Sequence, residues 1–132
     1  MIEITEITRD FLKTIHPRVY FSLKSNNAKY PFITFEINDV TPHSESLDFY
    51  SIDVDVWDLP LNNDDLPVDN LNKQINGNGD IVSPTGLNRK TLNNESATVT
   101  YALDRTIPLD EEGTGIKRRK NVYHARLFER GN

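Results

Sequence analysis

No cysteine occurs among the 132 residues of this chain, which removes disulfide frameworks, thiol nucleophiles, zinc ribbons and iron–sulfur sites together. No apolar run approaches the ~18 residues of a membrane helix, because Asp and Glu interrupt every hydrophobic stretch, and no membrane partner is expected. The first residues, with Glu3, Glu6 and Asp10, lack the basic-then-apolar pattern of a secretory leader, so none is expected. Positive charge is in deficit as well. The 15 Lys and Arg against 20 Asp and Glu leave a net charge of −5. Affinity for nucleic acid comes largely from neutralising phosphates, so this balance argues against a dedicated DNA or RNA binder.

What is present suits one modest domain spanning residues 1–132. Ile, Val, Leu and Phe number 37, enough for a real core. Asparagine, at 14 residues, gathers with Gly and Pro between the patterned segments. Asn hydrogen-bonds its own backbone and tolerates left-handed conformations, so many turns and long loops are expected.

Ile4, Ile7, Phe11, Leu12 and Ile15 fall on one stripe of a 3.6-residue period and predict a helix that Pro17 ends at His16. A short strand, Val19 to Leu23, follows. Phe32 to Ile37 alternates, with Ile33, Phe35 and Ile37 on one face, and a hairpin loop is expected between Asn38 and Leu47. Asp48 to Trp57 is the clearest strand: Ile52, Val54 and Val56 point one way, Ser51, Asp53, Asp55 and Trp57 the other. Pro67 suits the first turn of a second helix with Val68, Leu71 and Ile75 buried and Gly77 as its stop. From Asn76 to Glu95 the glycines break the pattern, leaving Leu87 and Leu92 as anchors of a short strand at most. Ala97 to Leu103 and Asn121 to Arg130 alternate again, separated by a charged loop. Alternation implies an antiparallel sheet with one wet face. The expected architecture is α+β, a two-layer sandwich in which an antiparallel or mixed sheet of about five strands carries two helices on one face.

Few residues carry a pattern that chemistry requires. Asp53 and Asp55 leave the same strand face roughly 6–7 Å apart, a spacing that suits a carboxylate pair or a metal, but polar alternation across the other strands favours a solvated face. His16, His43 and His124 are scattered without a second ligand at useful spacing. His16 sits at a helix end, where a cation favours the dipole. No Gly-x-Ser-x-Gly elbow occurs, and Gly77-Asn78-Gly79-Asp80 lacks the ending of a phosphate loop. No catalytic residue, metal or cofactor is therefore assigned, and no enzyme is expected. Lys117-Arg118-Arg119-Lys120 is the one concentrated charge feature. With Asp110-Glu111-Glu112 upstream and no interleaved aromatics, it reads as a protein-docking loop in preference to a nucleic-acid site.

Val19-Tyr20-Phe21, a polar turn, Lys29-Tyr30-Pro31-Phe32-Ile33-Thr34-Phe35 and then an acidic strand ending Asp53-Val54-Asp55-Val56-Trp57-Asp58 resemble the tail terminator, or tail completion, proteins of long-tailed bacteriophages. The resemblance implies a structural virion protein, assembled in the host cytoplasm and located at the tail or neck. It implies a hexameric ring of identical copies on the head-proximal end of the tail tube that ends tube polymerisation and joins tail to head. The implied partners are the tail tube protein and the head–tail connector protein, with genomic DNA only as passing cargo. An acidic ring would repel DNA and let it slide. The alternatives are another neck component such as a head–tail joining protein, or, from other classes, a small soluble enzyme or nucleic-acid-binding module. Interface residues expected on this reading are Trp57, as an aromatic at the end of an outward strand face, and Asp110, Glu111, Glu112, Lys117, Arg118, Arg119 and Lys120, in a loop from Leu109 to Asn121 that orders only against a partner.

Overall fold

Among the described residues the stripes and alternations form two helices and six strands. The computed structural model describes residues 2–22, 28–42 and 47–129. Its elements are α1 (Ile2–Ile15), β1 (Val19–Phe21), β2 (Phe32–Pro42), β3 (Leu47–Asp58), α2 (Leu66–Asn76), β4 (Thr91–Asn93), β5 (Ala97–Pro108) and β6 (Lys117–Glu129). All six strands join one mixed sheet in the order β1-β2-β3-β6-β5-β4. β1 lies parallel to β2, and every other neighbouring pair is antiparallel. β6, the last strand in sequence, therefore sits near the centre of the sheet.

The strand count rises above the expected five because Leu92 does anchor a short strand, β4, on the edge of β5. Three strands outrun their predicted ends. β2 continues to Pro42 through a bulge between Asp39 and Thr41, so the connection to β3 is shorter than expected. β5 reaches Pro108 because a bulge between Leu103 and Arg105 absorbs the residue that broke the alternation. β6 starts at Lys117 instead of Asn121. The predicted first strand stops at Phe21; its last residue, Leu23, lies outside the described residues, as does His43.

Both helices lie on the face formed by Ile33, Phe35 and Ile37 of β2, Ile52, Val54 and Val56 of β3, Val99 and Tyr101 of β5, and Tyr123, Ala125 and Leu127 of β6, all buried. From α1, Ile4, Ile7 and Leu12 complete this core, and from α2, Val68, Leu71 and Ile75. Thr8, fully buried on the apolar stripe of α1, shares a 2.7 Å hydrogen bond with the Tyr101 hydroxyl, which satisfies both groups and pins α1 over β5.

The second helix is held by a polar ladder. Asp69, Asn72 and Asn76 recur at three and four residues, one helix face, while Arg119, Asn121 and Tyr123 recur every second residue on the inner face of β6. Arg119 Nε donates to Asp69 at 2.9 Å, and Asn121 Nδ2 donates to Asn72 at 2.6 Å. Asn76 Nδ2 donates to Asn121 at 3.0 Å, and the Tyr123 hydroxyl donates to Asn76 Oδ1. Asn121, completely buried, also donates to the Val54 carbonyl and accepts from Thr106. Seven helical residues rise about 10.5 Å and four strand residues about 13 Å, so the two repeats stay in step over this length. Burial of the tyrosine hydroxyls holds the Tyr101 and Tyr123 pKa values well above the ordinary phenol range.

Gly77 ends α2 in a left-handed conformation (φ 73°) and touches Gly86. A Cβ on Gly77 would lie 2.1 Å from the Gly86 nitrogen, and one on Gly86 2.3 Å from the Gly77 nitrogen. This contact lets Leu87, fully buried, donate its amide to the Ile75 carbonyl at 2.6 Å. The glycines of the weakly patterned segment thus serve a close backbone crossing.

Phe11, expected among the covering residues of α1, is only partly buried, with the Lys90 ammonium 5.0 Å above its ring. Leu12 occupies the core position instead. Leu12→Ala is expected to cost about 2–5 kcal/mol in urea melts, and Phe11→Ala less than that. The reverse order would mean that α1 is rotated about its axis.

Candidate assembly interface

The four cations expected in a docking loop form the first turn-free run of a central strand. In β6 their side chains alternate between faces. Lys117 and Arg119 point inward, Arg118 and Lys120 outward, and each meets a carboxylate. On the inner side Lys117 Nζ lies 3.0 Å from Asp65 and 3.4 Å from Asp110. Arg119 reaches Asp69 at 2.9 Å, Asp110 at 2.8 Å and Asp65 at 3.5 Å. On the outer side Arg118 Nε donates to Asp55 at 2.6 Å, and Lys120 lies 3.4 Å from Asp53. Lys117 and Arg119 are 8% exposed, beneath the surface they organise.

The expected mobile loop from Leu109 to Asn121 is therefore corrected. Only residues 109–116 connect β5 to β6, and they carry their own bonds. The Leu109 amide donates to the Arg118 carbonyl, the Glu111 amide to the Ile116 carbonyl, and the Thr114 hydroxyl to the Glu111 carbonyl. Gly113 and Gly115 supply the positive φ angles (79° and 77°) of this turn. Burial alone pushes Asp110 up, but Arg119, the Arg118 amide and Lys117 more than offset it and hold the carboxyl below the ordinary aspartate range. The Lys117 ammonium is shifted up, chiefly by its bond to Asp65. Glu111 and Glu112 are exposed.

Asp53 and Asp55 are not a solvated pair. Asp55 is 3% exposed although it lies on the outer face, because Arg118 covers it. Burial is the largest influence on its carboxyl and pushes it above the ordinary range, with Asp53 adding to the rise; Arg118 and Lys120 pull it down without cancelling it. Among the described residues, no group of three or more His, Cys, Asp or Glu is arranged to hold a metal ion.

Trp57 is covered by a neighbouring side chain. The Arg118 guanidinium lies 4.2 Å over its ring on one side, and Phe32 stacks on the other at 5.8 Å with the planes 13° apart. Its Nε1 donates to Thr34 at 2.9 Å. Tyr30 and Tyr20 pack on Phe32 in turn, at 5.2 and 6.1 Å. Phe32 and Trp57 are direct partners in the β2–β3 register, so the Tyr-Pro-Phe strand start and the Asp-x-Trp strand end form a single outer-face cluster. The cation–aromatic stack contributes on the order of 1 kcal/mol.

Neither of the two described histidines joins a cluster of possible metal ligands. His16 Nδ1 accepts the Arg18 amide at 3.1 Å, and burial, then the Arg18 charge, lower its pKa. It caps the chain after α1 as a neutral acceptor, which corrects the expected dipole role. His124 is exposed on the outer face, 3.9 Å from Asp104.

Sequence reasoning missed two things. The first is the Asp69–Asn72–Asn76 ladder, whose signal is a polar helical stripe facing alternate polar residues of a strand. The second is the end of the sheet at which β6 begins, where Leu59, Leu61, Leu66 and Leu109 stand 45%, 100%, 61% and 37% exposed.

No family model matches the chain, and no curated protein does. Six chains of solved structures match it. One of them belongs to the virion of a native gene transfer agent (GTA) particle. That likeness covers 97% of this chain and 96% of that one, with a TM-score of 0.62 and 10% sequence identity. At this identity the likeness is one of fold, and it runs from end to end.

Arg118→Ala would leave the Asp55 carboxylate buried without its main partner and is expected to cost about 3 kcal/mol near neutral pH. Burial already raises the folded-state pKa of Asp55, and losing Arg118, which pulls it down, raises it further in the variant, so lowering the pH protonates the folded variant first and relieves its penalty. The gap between variant and parent in urea melts should therefore narrow as pH falls from 7 towards that value. A gap that stayed constant on acidification would place the charged carboxylate in water.

Proposed function

We propose that this chain is a structural protein of a phage-type virion, working as a ring at the head-proximal end of the tail. The observation that carries this reading is the fold likeness to a chain of a gene transfer agent virion, which spans 97% of this chain and 96% of that one. It is joined by the sequence resemblance to tail terminator proteins, whose two quoted motifs pack on one another through Phe32 and Trp57. In this role the protein stops polymerisation of the tail tube and presents a surface to the head–tail connector. Its partners are identical copies, the tube protein and the connector, and it works by fit and without catalysis.

Several features support contact between copies. β1 and β4 are three residues each, so they cover only part of the sheet's edges. Beyond Leu103 the far edge of β5, from Asp104 to Pro108, pairs with no strand among the described residues. Unpaired strand edges are templates for pairing with another chain. Trp57, half-buried under Arg118, offers an aromatic edge to a neighbour, and Asp110, Glu111 and Glu112 stand at the rim of the same end of the sheet. Lys117, Arg118, Arg119 and Lys120 contribute by shaping this end, since their charges are already engaged. The net charge of −5 suits a ring through which DNA passes without sticking.

Negative-stain electron microscopy of the purified protein tests the reading. Closed rings with sixfold averages are the expected result, and particles assembled without the protein should carry overlong tails or heads that fail to join. A protein that stayed monomeric at high concentration, with normal tails in its absence, would contradict the ring and favour another neck component.

A further inference from the structure

Three apolar dipeptides, Leu59-Pro60, Leu66-Pro67 and Pro108-Leu109, emerge where β6 begins, with Leu61 between the first two. The dipeptide leucines are 37% to 61% exposed and Leu61 100%. They come from two separate stretches, the connection from β3 into the first turn of α2 and the end of β5 with the turn that follows it, fastened together from below. Lys117 Nζ holds Asp65, next to Leu66, at 3.0 Å and Asp110, next to Leu109, at 3.4 Å. Arg119 repeats the bond to Asp110 at 2.8 Å. Leu59 follows Asp58, the cross-strand partner of Lys117, and its Cδ1 lies 3.5 Å from the position a Cβ would take on Gly115. The leucines therefore project from one end of the sheet, on connections tied to each other, and exposed apolar side chains gathered in this way mark interaction sites. Prolines stiffen each dipeptide, so less conformational freedom is lost on binding.

The exposed charges at the rim of this surface are acidic. Lys117 and Arg119 are buried and already shared among Asp65, Asp69 and Asp110, while Asp64, Glu111 and Glu112 are exposed at the rim. We infer that this end of the sheet docks a partner protein whose contact surface has an apolar centre and a rim of Lys and Arg. The same carboxylates repel DNA and anionic membranes. The inference concerns surface chemistry alone and stands whether or not the ring reading holds.

The test uses the full chain and three labelled peptides: an amphipathic leucine–lysine helix, the leucine–glutamate helix of the same spacing, and an oligolysine without leucine. Fluorescence anisotropy should show binding of the leucine–lysine peptide and affinities about tenfold or more weaker for the other two. Leu61→Ser/Leu66→Ser and Glu111→Lys/Glu112→Lys should each weaken it by about tenfold, with thermal melts unchanged because the altered side chains are exposed. Hydrogen exchange should slow at residues 59–66 and 109–116 when the peptide binds. Equal binding of oligolysine, undiminished binding to the leucine variant, or a footprint elsewhere would overturn the inference. So would self-association in sedimentation that the leucine variant abolishes, which would make a second copy the occupant.

Discussion

A strand in the middle of a sheet that opens with four consecutive cations is stable only when each cation finds a carboxylate on the face to which its side chain points. Side-chain alternation sends Lys117 and Arg119 to the helix layer and Arg118 and Lys120 to the outer face. Each destination has been supplied with acid. Asp55 and Asp53 stand on the neighbouring strand β3, Asp65 and Asp69 at the start of α2, and Asp110 in the turn before β6. Leaving any one of these buried charges unpaired is costly, so the arrangement fixes the β3–β6 register, the position of the first turn of α2 and the course of the connecting turn together. The tryptophan stack depends on it too, because the guanidinium that covers Trp57 is oriented by Asp55.

From that fixed end the rest of the polar framework follows along β6. Arg119, Asn121 and Tyr123 successively engage Asp69, Asn72 and Asn76, and the hydrophobic layer of Val68, Leu71 and Ile75 closes beside them. Buried polar networks of this kind contribute more to a unique alignment than to net stability, because mispairing strands every member. For a protein proposed to work by fitting neighbours, an end surface held rigid by internal ion pairs is useful: the leucines of two loops are presented in one arrangement before any partner arrives.

Much of this was legible in the residues. The apolar stripes of both helices, the stop at Pro17, the proline start and glycine stop of α2, and the inward faces of β3 and β6 follow from period and capping alone. The alternation of β6 also continues upstream through Asn121 and Arg119, but with polar residues inward, where hydrophobic periodicity gives no signal; four adjacent cations then read as a solvated loop. The missing information was tertiary, since the acids that neutralise Lys117 and Arg119 lie in α2 and in two loops. Asp53 and Asp55 looked solvated for the same reason, as Arg118 lies 63 residues away in the chain. The candidate interface was only half legible: Trp57 and the acidic run are outward, whereas the exposed leucines were hidden inside a loop whose fastening depends on those distant pairs.

Amide hydrogen exchange across β6 tests most directly the claim that the cationic run is a structural strand. The amides of Arg119 to Asn121 lie between β3 and β5 in the sheet, and the account predicts protection of the same order as at Tyr123 and Ala125. Exchange as fast as at Glu112 to Thr114, in the exposed turn, would contradict it and return the cations to a loop.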